Sequence, residues 1–289
     1  MRTAKLTLVA VCCCLSVAFA AQEIRLPRKH GSVRFAAIGD MGTGRAPQYE
    51  VARRMEQFHT KFPFDFVIML GDNIYGSKRP KDFDRKFAIP YKPLLDSGVK
   101  FYASLGNHDV PAELYYKPFN MNGHRYYAFN QGNVRFFALD SDYMDPAQVE
   151  WLENELRTST ATWKIPFFHH PLYSSGGEHG SSLELRRLLE PIFVANGVRV
   201  VFSGHDHIYE RTKPQQGIYY FVEGSAGQLR AHDLRSAGFE AAGFDSDRTF
   251  MLVEIAGDDL FFQTVSRTGD IVDSGSFNVH PPRSDSGHN

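Results

Sequence analysis

The sequence predicts an α/β fold with a metal site at the carboxyl ends of its strands. Apolar, β-rich runs alternate with amphipathic helical stretches along most of the chain. The length of 289 residues and the hydrophobic content of 43% provide enough apolar surface for a substantial core, in one large domain or two small ones. Candidate metal ligands follow one predicted strand after another. Sites in open α/β sheets lie beyond the carboxyl ends of the strands, so these ligands are expected to converge.

The first 20 residues are predicted to form a secretory signal peptide. Arg2 and Lys5 make a basic start, residues 6–17 form an apolar run, and Ala18-Phe19-Ala20 has the small-x-small pattern of a cleavage site. The apolar run is too short to span a bilayer. The alternative is an uncleaved N-terminal anchor. Residues 21–30 are interpreted as a linker.

Charge and cysteine content limit the classes of function. The three cysteines, at positions 12–14, all lie in the predicted signal, so the mature protein is expected to depend on core burial rather than on disulfides. Any metal is then held by nitrogen and oxygen ligands alone. The formal charge is -1 and becomes -3 without the two basic residues of the signal (30 basic against 33 acidic). The sequence therefore has no excess of positive charge that would indicate binding to nucleic acid. The expected product is exported, either secreted or periplasmic, and is free of the membrane after cleavage.

Five predicted strands each end shortly before candidate ligands. They cover residues 33–38, 65–70, 99–105, 165–168 and 198–202, and lead to Asp40, Asp72, Asn107 with His108, His169, and His205 with His207. Helices are predicted at 47–62, after an Asp145 N-cap with Pro146 at the first helical position, and at 181–195 before Asn196-Gly197.

The pattern changes after Arg211. Hairpin-like strands are predicted there at 217–222, 249–255, 260–265 and 271–277. The catalytic domain is expected to span residues 31–279, and residues 280–289 are expected to form a disordered tail.

The ligand types indicate a hydrolytic metal centre. Asp40 and Asp72 each follow a glycine, which allows a sharp turn that brings the carboxylate to a cation. One carboxylate can bridge two metals about 3.5–4 Å apart, the arrangement used for displacement at phosphorus. A lone Gly-Asp turn is usually only a turn. However, six of the twelve histidines fall in the three windows 106–109, 169–179 and 204–207, and chance explains such clustering poorly.

These motifs, in their order along the chain, resemble the calcineurin-like metallophosphoesterase superfamily. The series is Asp40, Gly71-Asp72-x-x-Tyr75, Gly106-Asn107-His108-Asp109, Phe168-His169-His170-Pro171 and Gly204-His205-Asp206-His207, continued by Ile208-Tyr209-Glu210-Arg211. Tyr75 narrows the resemblance to the purple acid phosphatases, and the small size is most similar to their tartrate-resistant type. The resemblance covers about residues 33–230. It implies a four-layer αββα sandwich of two mixed β-sheets flanked by helices.

The resemblance also implies a role for each motif residue. Asp40, Tyr75 and His207 would bind a ferric ion; Asn107, His169 and His205 would bind a divalent iron, zinc or manganese ion; and Asp72 would bridge the two. His108 and His179 would act in catalysis by contacting the substrate phosphate and helping to protonate the leaving group, and Asn107 would also contact substrate. His179 is the least regular match, since its loop is about one residue longer than the family pattern. His170 is interpreted as a neighbour that does not bind metal.

The function implied is an acid phosphatase that hydrolyses small phosphomonoesters by direct attack of hydroxide held on the metals. One alternative is a general metallophosphoesterase with two divalent ions that acts on phosphodiesters or nucleotides. Another is an inactive metal-bound binding protein at an extracellular surface. A nucleotide-binding role for Gly39, Gly42 and Gly44 is disfavoured, because their spacing does not match and no Lys-Ser/Thr pair follows. The natural substrate and the oligomeric state stay open.

Overall fold

Two mixed β-sheets pack face to face, and helices cover their outer faces. The computed structural model describes residues 24–280. The predicted signal peptide at 1–20 and residues 281–289 of the predicted tail lie outside the described residues, so these assignments, together with the domain limits, stay predictions. Within the described range, no helix has both the length and the apolar character that crossing a membrane requires.

The helices and strands alternate through the first two thirds of the chain. The helices are α1 (Ala46–Lys61), α2 (Pro80–Phe83), α3 (Lys92–Asp96), α4 (Pro146–Thr158) and α5 (Leu183–Ala195). The strands are β1 (Val33–Ile38), β2 (Phe66–Leu70), β3 (Lys100–Ser104), β4 (Tyr127–Gln131), β5 (Val134–Ala138), β6 (Trp163–Phe167), β7 (Val200–Ser203), β8 (Tyr209–Thr212), β9 (Tyr219–Glu223), β10 (Glu240–Phe244), β11 (Thr249–Ala256), β12 (Asp259–Ser266) and β13 (Ile271–Asn278). Asp84–Ala88 forms a π-helical turn, and Pro111–Tyr115 and Lys117–Phe119 are 3₁₀ turns.

Each sheet has a parallel part that carries the candidate ligands. The six-stranded sheet has the order β13-β12-β11-β1-β2-β3, and the seven-stranded sheet has the order β10-β8-β9-β7-β6-β5-β4. Strands β1, β2 and β3 run parallel in the first sheet, as do β5, β6, β7 and β9 in the second. The loops after these parallel strands therefore emerge at one edge of each sheet.

Successive side chains along a strand point alternately into two buried layers, because side chains in a strand repeat with a period of two residues. Phe35 of β1 points to the interior between the sheets, where it stacks on Phe66 with ring centroids 5.3 Å apart and meets Phe202 of the other sheet edge-on at 5.9 Å. Its neighbour Ala36, and Ile38 two residues further on, instead join the layer beneath α1. A third buried cluster packs α4 and α5 on the outer face of the seven-stranded sheet. These layers confirm the predicted αββα sandwich.

The predicted elements that precede the ligands are confirmed with small shifts of their ends. Asp145 caps α4, since its side chain accepts a hydrogen bond of 2.8 Å from the Gln148 backbone N–H. The hairpin-like strands predicted after Arg211 are confirmed: the run at 217–222 is β9, which is antiparallel to β8 before it and parallel to β7, and the last three runs are the antiparallel strands β11, β12 and β13. Strands β4, β5, β8 and β10 and the short helices at 80–96 were not predicted.

Candidate metal centre

The loops after five strands meet at the common edge of the two sheets. The backbone pairing continues past the strand ends, with Asp40 N–H donating to Gly71 O at 3.1 Å and Gly204 N–H donating to His169 O at 2.9 Å. A hydrogen bond of 2.9 Å between His169 Nδ1 and Leu70 O crosses from one sheet to the other. Since the carbonyl requires a proton on Nδ1, the Nε2 atom of His169 is free to bind a metal.

Three of the candidate ligands occupy backbone conformations that residues other than glycine rarely adopt. The φ angles are +56° at Asp40, +52° at Asp72 and +71° at His205, all in the left-handed region. Such residues cost of order 1 kcal/mol or more each and cluster at functional sites. The sharp turn directs each side chain back over the end of its own sheet.

Two glycines leave room for the ligands. A Cβ atom at Gly106 would lie 2.4 Å from Asp72 Oδ1, and one at Gly71, where φ is +87°, would lie 2.5 Å from His169 Nδ1. Neither site could hold a larger residue without displacing a candidate ligand. The glycines of these motifs therefore have a packing reason as well as a conformational one.

One group of ligands contains the tyrosine. Tyr75 Oη donates a hydrogen bond of 2.8 Å to Asp40 Oδ1 and lies 3.2 Å from His207 Nε2. His207 Nε2 is itself 3.3 Å from Asp40 Oδ1. A phenol, a carboxylate and an imidazole thus point at one another, as the resemblance requires of a shared ligand set.

The second group contains two imidazoles and an amide. His169 Nε2 is 3.0 Å from Asn107 Oδ1 and 3.1 Å from His205 Nδ1. Asp72 lies between the two groups, since its Oδ1 atom is 3.5 Å from His169 Nε2 and its charge raises the pKa values of Asp40 and Tyr75. Ligand atoms of Asp40, Asp72 and His169 all fall within 4.8 Å of one another. All seven predicted ligands are therefore brought together.

Burial controls the protonation of the cluster. Burial, with the neighbouring Asp72 charge, raises the pKa of Asp40 well above its usual value, and burial with both carboxylates raises the pKa of Tyr75. Burial lowers the pKa of His169 far below 6.5, and burial with the charge of Arg230 lowers the pKa of His207 to about 4. The imidazoles therefore stay neutral, as metal ligands must be, in mildly acidic solution.

The arrangement fits a pair of cations. Asp40 and Asp72 are 0% and 1% exposed, and in the described part of the chain no lysine or arginine forms an ion pair with either. Buried carboxylates without a cation carry a large desolvation cost. In addition, His169 Nε2 and His205 Nδ1 face each other at 3.1 Å, a contact that a shared metal would use better than a hydrogen bond. The oxygen and nitrogen donor set suits first-row metals.

The two predicted catalytic histidines border the exposed side of the cluster. The His108 ring lies 4.9 Å from the Tyr75 ring, and the His108 backbone N–H donates to Asp72 Oδ1 at 2.9 Å. The His179 ring stacks on the His205 ring, with centroids 4.1 Å apart. Both histidines are exposed, as is Asn107. Solvent therefore reaches the cluster from the side on which these three residues lie.

Asp206 positions the loop that carries His179. Its Oδ2 atom accepts hydrogen bonds from Ser174 Oγ at 2.5 Å and from Gly180 N–H at 3.1 Å. The motif Gly204-His205-Asp206-His207 contained this residue, but its role depends on a loop that is distant in sequence. The only sign of this role in the sequence is the position of Asp206 between two candidate ligands. The two histidines point toward the cluster, and the residue between them points away from it.

Asp109 connects the two ligand loops of the six-stranded sheet. Its carboxylate accepts from the backbone N–H groups of Asn73 and Ile74, both at 3.1 Å, and from Gly106 N–H at 2.9 Å. Burial and the neighbouring Asp109 charge raise the pKa of Glu113 to about 11, and burial with the Asp72 charge raises the pKa of Asp109 to about 7. These hydrogen bonds join the loops that carry Asp72 and Asn107.

His170 lies beside the cluster with a different set of contacts. Its Nδ1 atom is 2.9 Å from Ser141 Oγ, its Nε2 atom is 3.8 Å from Asp142, and its ring lies 4.3 Å from that of His205. These contacts support the interpretation that it does not bind metal, which stays a prediction.

Comparisons with known proteins identify the family of this chain. The family model of calcineurin-like phosphoesterases matches residues 33–209, and the chain belongs to this family. The chain is 30% identical over 238 residues to purple acid phosphatase 17 of Arabidopsis thaliana, covering 69% of this chain and 70% of that one. For purple acid phosphatase 7 of the same plant the identity is 32% over 244 residues, with 71% and 74% covered. Rat tartrate-resistant acid phosphatase type 5 is 25% identical, with 82% and 88% covered.

These relatives confirm the resemblance to purple acid phosphatases and the prediction of a phosphatase-like hydrolase. Family membership also implies a dinuclear metal centre.

Solved structures confirm the fold. The purple acid phosphatase of yellow lupin seeds superposes with a TM-score of 0.71 at 20% identity, covering 86% of this chain and 54% of that one. The Plasmodium protein GAP50, described as an anchor in the inner membrane complex, superposes with a TM-score of 0.72 at 20% identity, covering 87% and 90%.

Replacement of the bridging candidate tests the cluster as a unit. Because Asp72 joins both ligand groups, Asp72→Ala is expected to lose bound metal and with it nearly all turnover. Elemental analysis of the purified variant measures the metal. Unfolding with and without a chelator gives a second readout, since metal at about 100 times its dissociation constant stabilises the native state by about 2.7 kcal/mol.

His59→Ala is the control, since His59 lies outside the motifs and contacts Phe64 O at 3.1 Å. This variant is expected to keep its metal and its sensitivity to chelator. An Asp72→Ala protein that retained the full metal content and near-normal turnover would contradict the dinuclear assignment.

Proposed function

We propose that the chain is an exported acid phosphatase that hydrolyses small phosphomonoesters at a dinuclear centre. The observation that carries the proposal is the convergence of six candidate oxygen and nitrogen ligands around a seventh, Asp72, with exposed imidazoles on the open side. Membership of the purple acid phosphatases supports the reaction class.

The proposed metal ligands divide into two sets. Asp40, Tyr75 and His207 would hold a ferric ion, Asn107, His169 and His205 would hold divalent iron, zinc or manganese, and Asp72 would bridge. Such a pair of ions activates water as a nucleophile and offsets negative charge on the phosphoryl group. The hard anionic phenolate of Tyr75 suits the stronger Lewis acid.

The residues on the open side would handle the substrate. His108 and His179 would bind the phosphate oxygens and supply a proton to the leaving group, and Asn107 would contact the phosphate beside them. His108 is fixed by its backbone hydrogen bond to Asp72, and His179 by the loop that Asp206 holds. The leaving group would depart toward solvent between these side chains.

Two other functions compete with this proposal. A phosphodiesterase or nucleotidase with two divalent ions would use the same cluster, but the contact of Tyr75 with Asp40 favours the tyrosine-containing, ferric type. A binding protein without activity is the other alternative, and GAP50 is a structural neighbour described as an anchor. The complete ligand set favours an enzyme.

Kinetics with simple aryl esters test the reaction class. We expect turnover of phenyl phosphate to exceed that of diphenyl phosphate, and His108→Ala or His179→Ala to lower kcat by about 100-fold or more, the usual contribution of proton transfer. His124→Ala, an exposed histidine outside the motifs, is expected to match the parent protein. Metal-loaded protein that binds phosphate but hydrolyses neither ester would instead support the binding protein.

The colour of the protein tests the role of Tyr75. A phenolate bound to a ferric ion has a ligand-to-metal charge-transfer band, so native protein is expected to absorb in the visible region. Tyr75→Phe is expected to lose that band, keep Asp40 and His207 as ligands, and lose less activity than Asp72→Ala. A colourless, fully active wild-type protein with only zinc or manganese would identify a general metallophosphoesterase.

The mass of the exported protein tests its processing. Expression in a secreting host is expected to release material that begins after Ala20 or Ala21, because the cleavage pattern ends there. Intact-mass spectrometry of the purified protein decides the point. Active protein that keeps Met1 would support the N-terminal anchor.

A further inference from the structure

A cleft of about 460 Å³ lies beside Tyr75 and is bordered by loops that also build the metal centre. The loop after β1 contributes Arg45, the loop after β2 contributes Arg79, and the loop after β9 contributes Gln228. Gln228 N–H donates to Asp40 O at 3.0 Å. Tyr75 belongs both to the ligand cluster and to the wall of the cleft.

The cleft carries an excess of positive charge. Its lining includes four cations, Arg45, Arg79, Arg85 and Lys86, and one carboxylate, Asp82, which leaves a formal charge of +3 (4 - 1). Asp82 is already shared, at 3.1 Å from Arg79 Nε, 3.6 Å from Arg85 Nη2 and 3.8 Å from Lys86 Nζ.

The cations that line the cleft differ in burial and in hydrogen bonding. Lys86 is buried and donates to the carbonyl oxygens of Tyr75 and Ser77, so it holds the loop beside the metal centre. Arg45 is exposed, and within residues 24–280 its side chain forms no hydrogen bond or ion pair. The Arg79 side chain is 63% exposed. Arg85 donates to Gly44 O at 3.3 Å as well as facing Asp82. Arg45, and Arg79 with its largely exposed side chain shared with Asp82, are therefore the cations most accessible to a ligand.

We propose that this cleft is a second anion subsite, which binds a further phosphate on the leaving group of the substrate. The inference rests on the proposed function, since the reacting phosphate must lie at the ligand cluster. Because Tyr75 lines both the ligand cluster and the cleft, the cleft adjoins the place of the reacting phosphate. Guanidinium groups bind phosphate oxygens through paired N–H donors, which suits them to this task. The preferred substrate class is therefore small esters with two phosphate groups.

Binding of two phosphonates that cannot be hydrolysed tests the subsite. Calorimetry on the metal-loaded protein compares benzylphosphonate with p-xylylenediphosphonate, which adds a second phosphonate. We expect the second compound to bind about tenfold more tightly. Arg45→Gln and Arg79→Gln are each expected to weaken its binding by about three- to fivefold, the range of a partly exposed charge pair, and to leave benzylphosphonate within about twofold.

Arg157→Gln is the matched control, since Arg157 lies on α4 and contacts Asn154 there, outside the cleft. It is expected to change neither affinity. Equal affinity of the wild-type protein for both compounds, or an equal loss of both in the arginine variants, would overturn the subsite.

Phenyl phosphate turnover, measured on the same samples, separates this inference from the proposed function. Turnover without a diphosphonate preference rejects only the subsite. A preference that depends on Arg45 and Arg79, in protein that hydrolyses no phosphomonoester, supports the subsite and rejects the phosphatase.

Discussion

The metal centre depends on two carboxyl groups that are buried between the ends of two sheets. Asp40 and Asp72 are buried where β1 and β2 end, and burial together with the Asp72 charge raises the pKa of Asp40. In an apolar core such carboxylates would cost several kcal/mol each, even after relaxation. Backbone N–H groups and neutral imidazoles offset only part of this cost. A cation at the cluster removes the conflict, so the architecture at this edge is an arrangement for holding positive charge.

The same cluster determines how the two sheets are aligned. Elsewhere the sheets meet through apolar side chains such as Phe35 and Phe202, whose attraction is large but has little directional preference. At the edge, His205 N–H donates to Asp40 Oδ2 at 2.8 Å and His169 Nδ1 bonds Leu70 O. Hydrogen bonds weaken steeply when distance or angle changes. They therefore fix the relative position that the apolar core leaves adjustable, and the strained φ angles at the ligand positions are maintained by them.

The predictable parts are those that local sequence determines. The strands before the ligands have apolar runs and β-rich composition, and the rule that sites in open α/β sheets lie beyond the carboxyl ends of the strands predicts the convergence of the ligands. The capped start of α4 at Asp145 is equally local. By contrast, β8 and β10 are short and polar in part, and they exist because they pair with each other in the seven-stranded sheet. The role of Asp206 follows from tertiary packing, and so does the presence of Arg45 and Arg79 in one cleft. Sequence periodicity does not encode such packing.

The two ligand groups differ in what a metal must displace. Burial raises the pKa of Asp40 and Tyr75, so without a cation both tend to keep their protons, and a metal that binds there must release them. His169 and His205 have lowered pKa values and are already neutral, so their group, completed by Asn107, competes little with protons. Falling pH therefore opposes binding mainly on the Tyr75 side. A strongly Lewis-acidic ion is best suited to hold a phenolate under acidic conditions, and this difference between the two groups is a physical argument for the proposed asymmetric pair of metals.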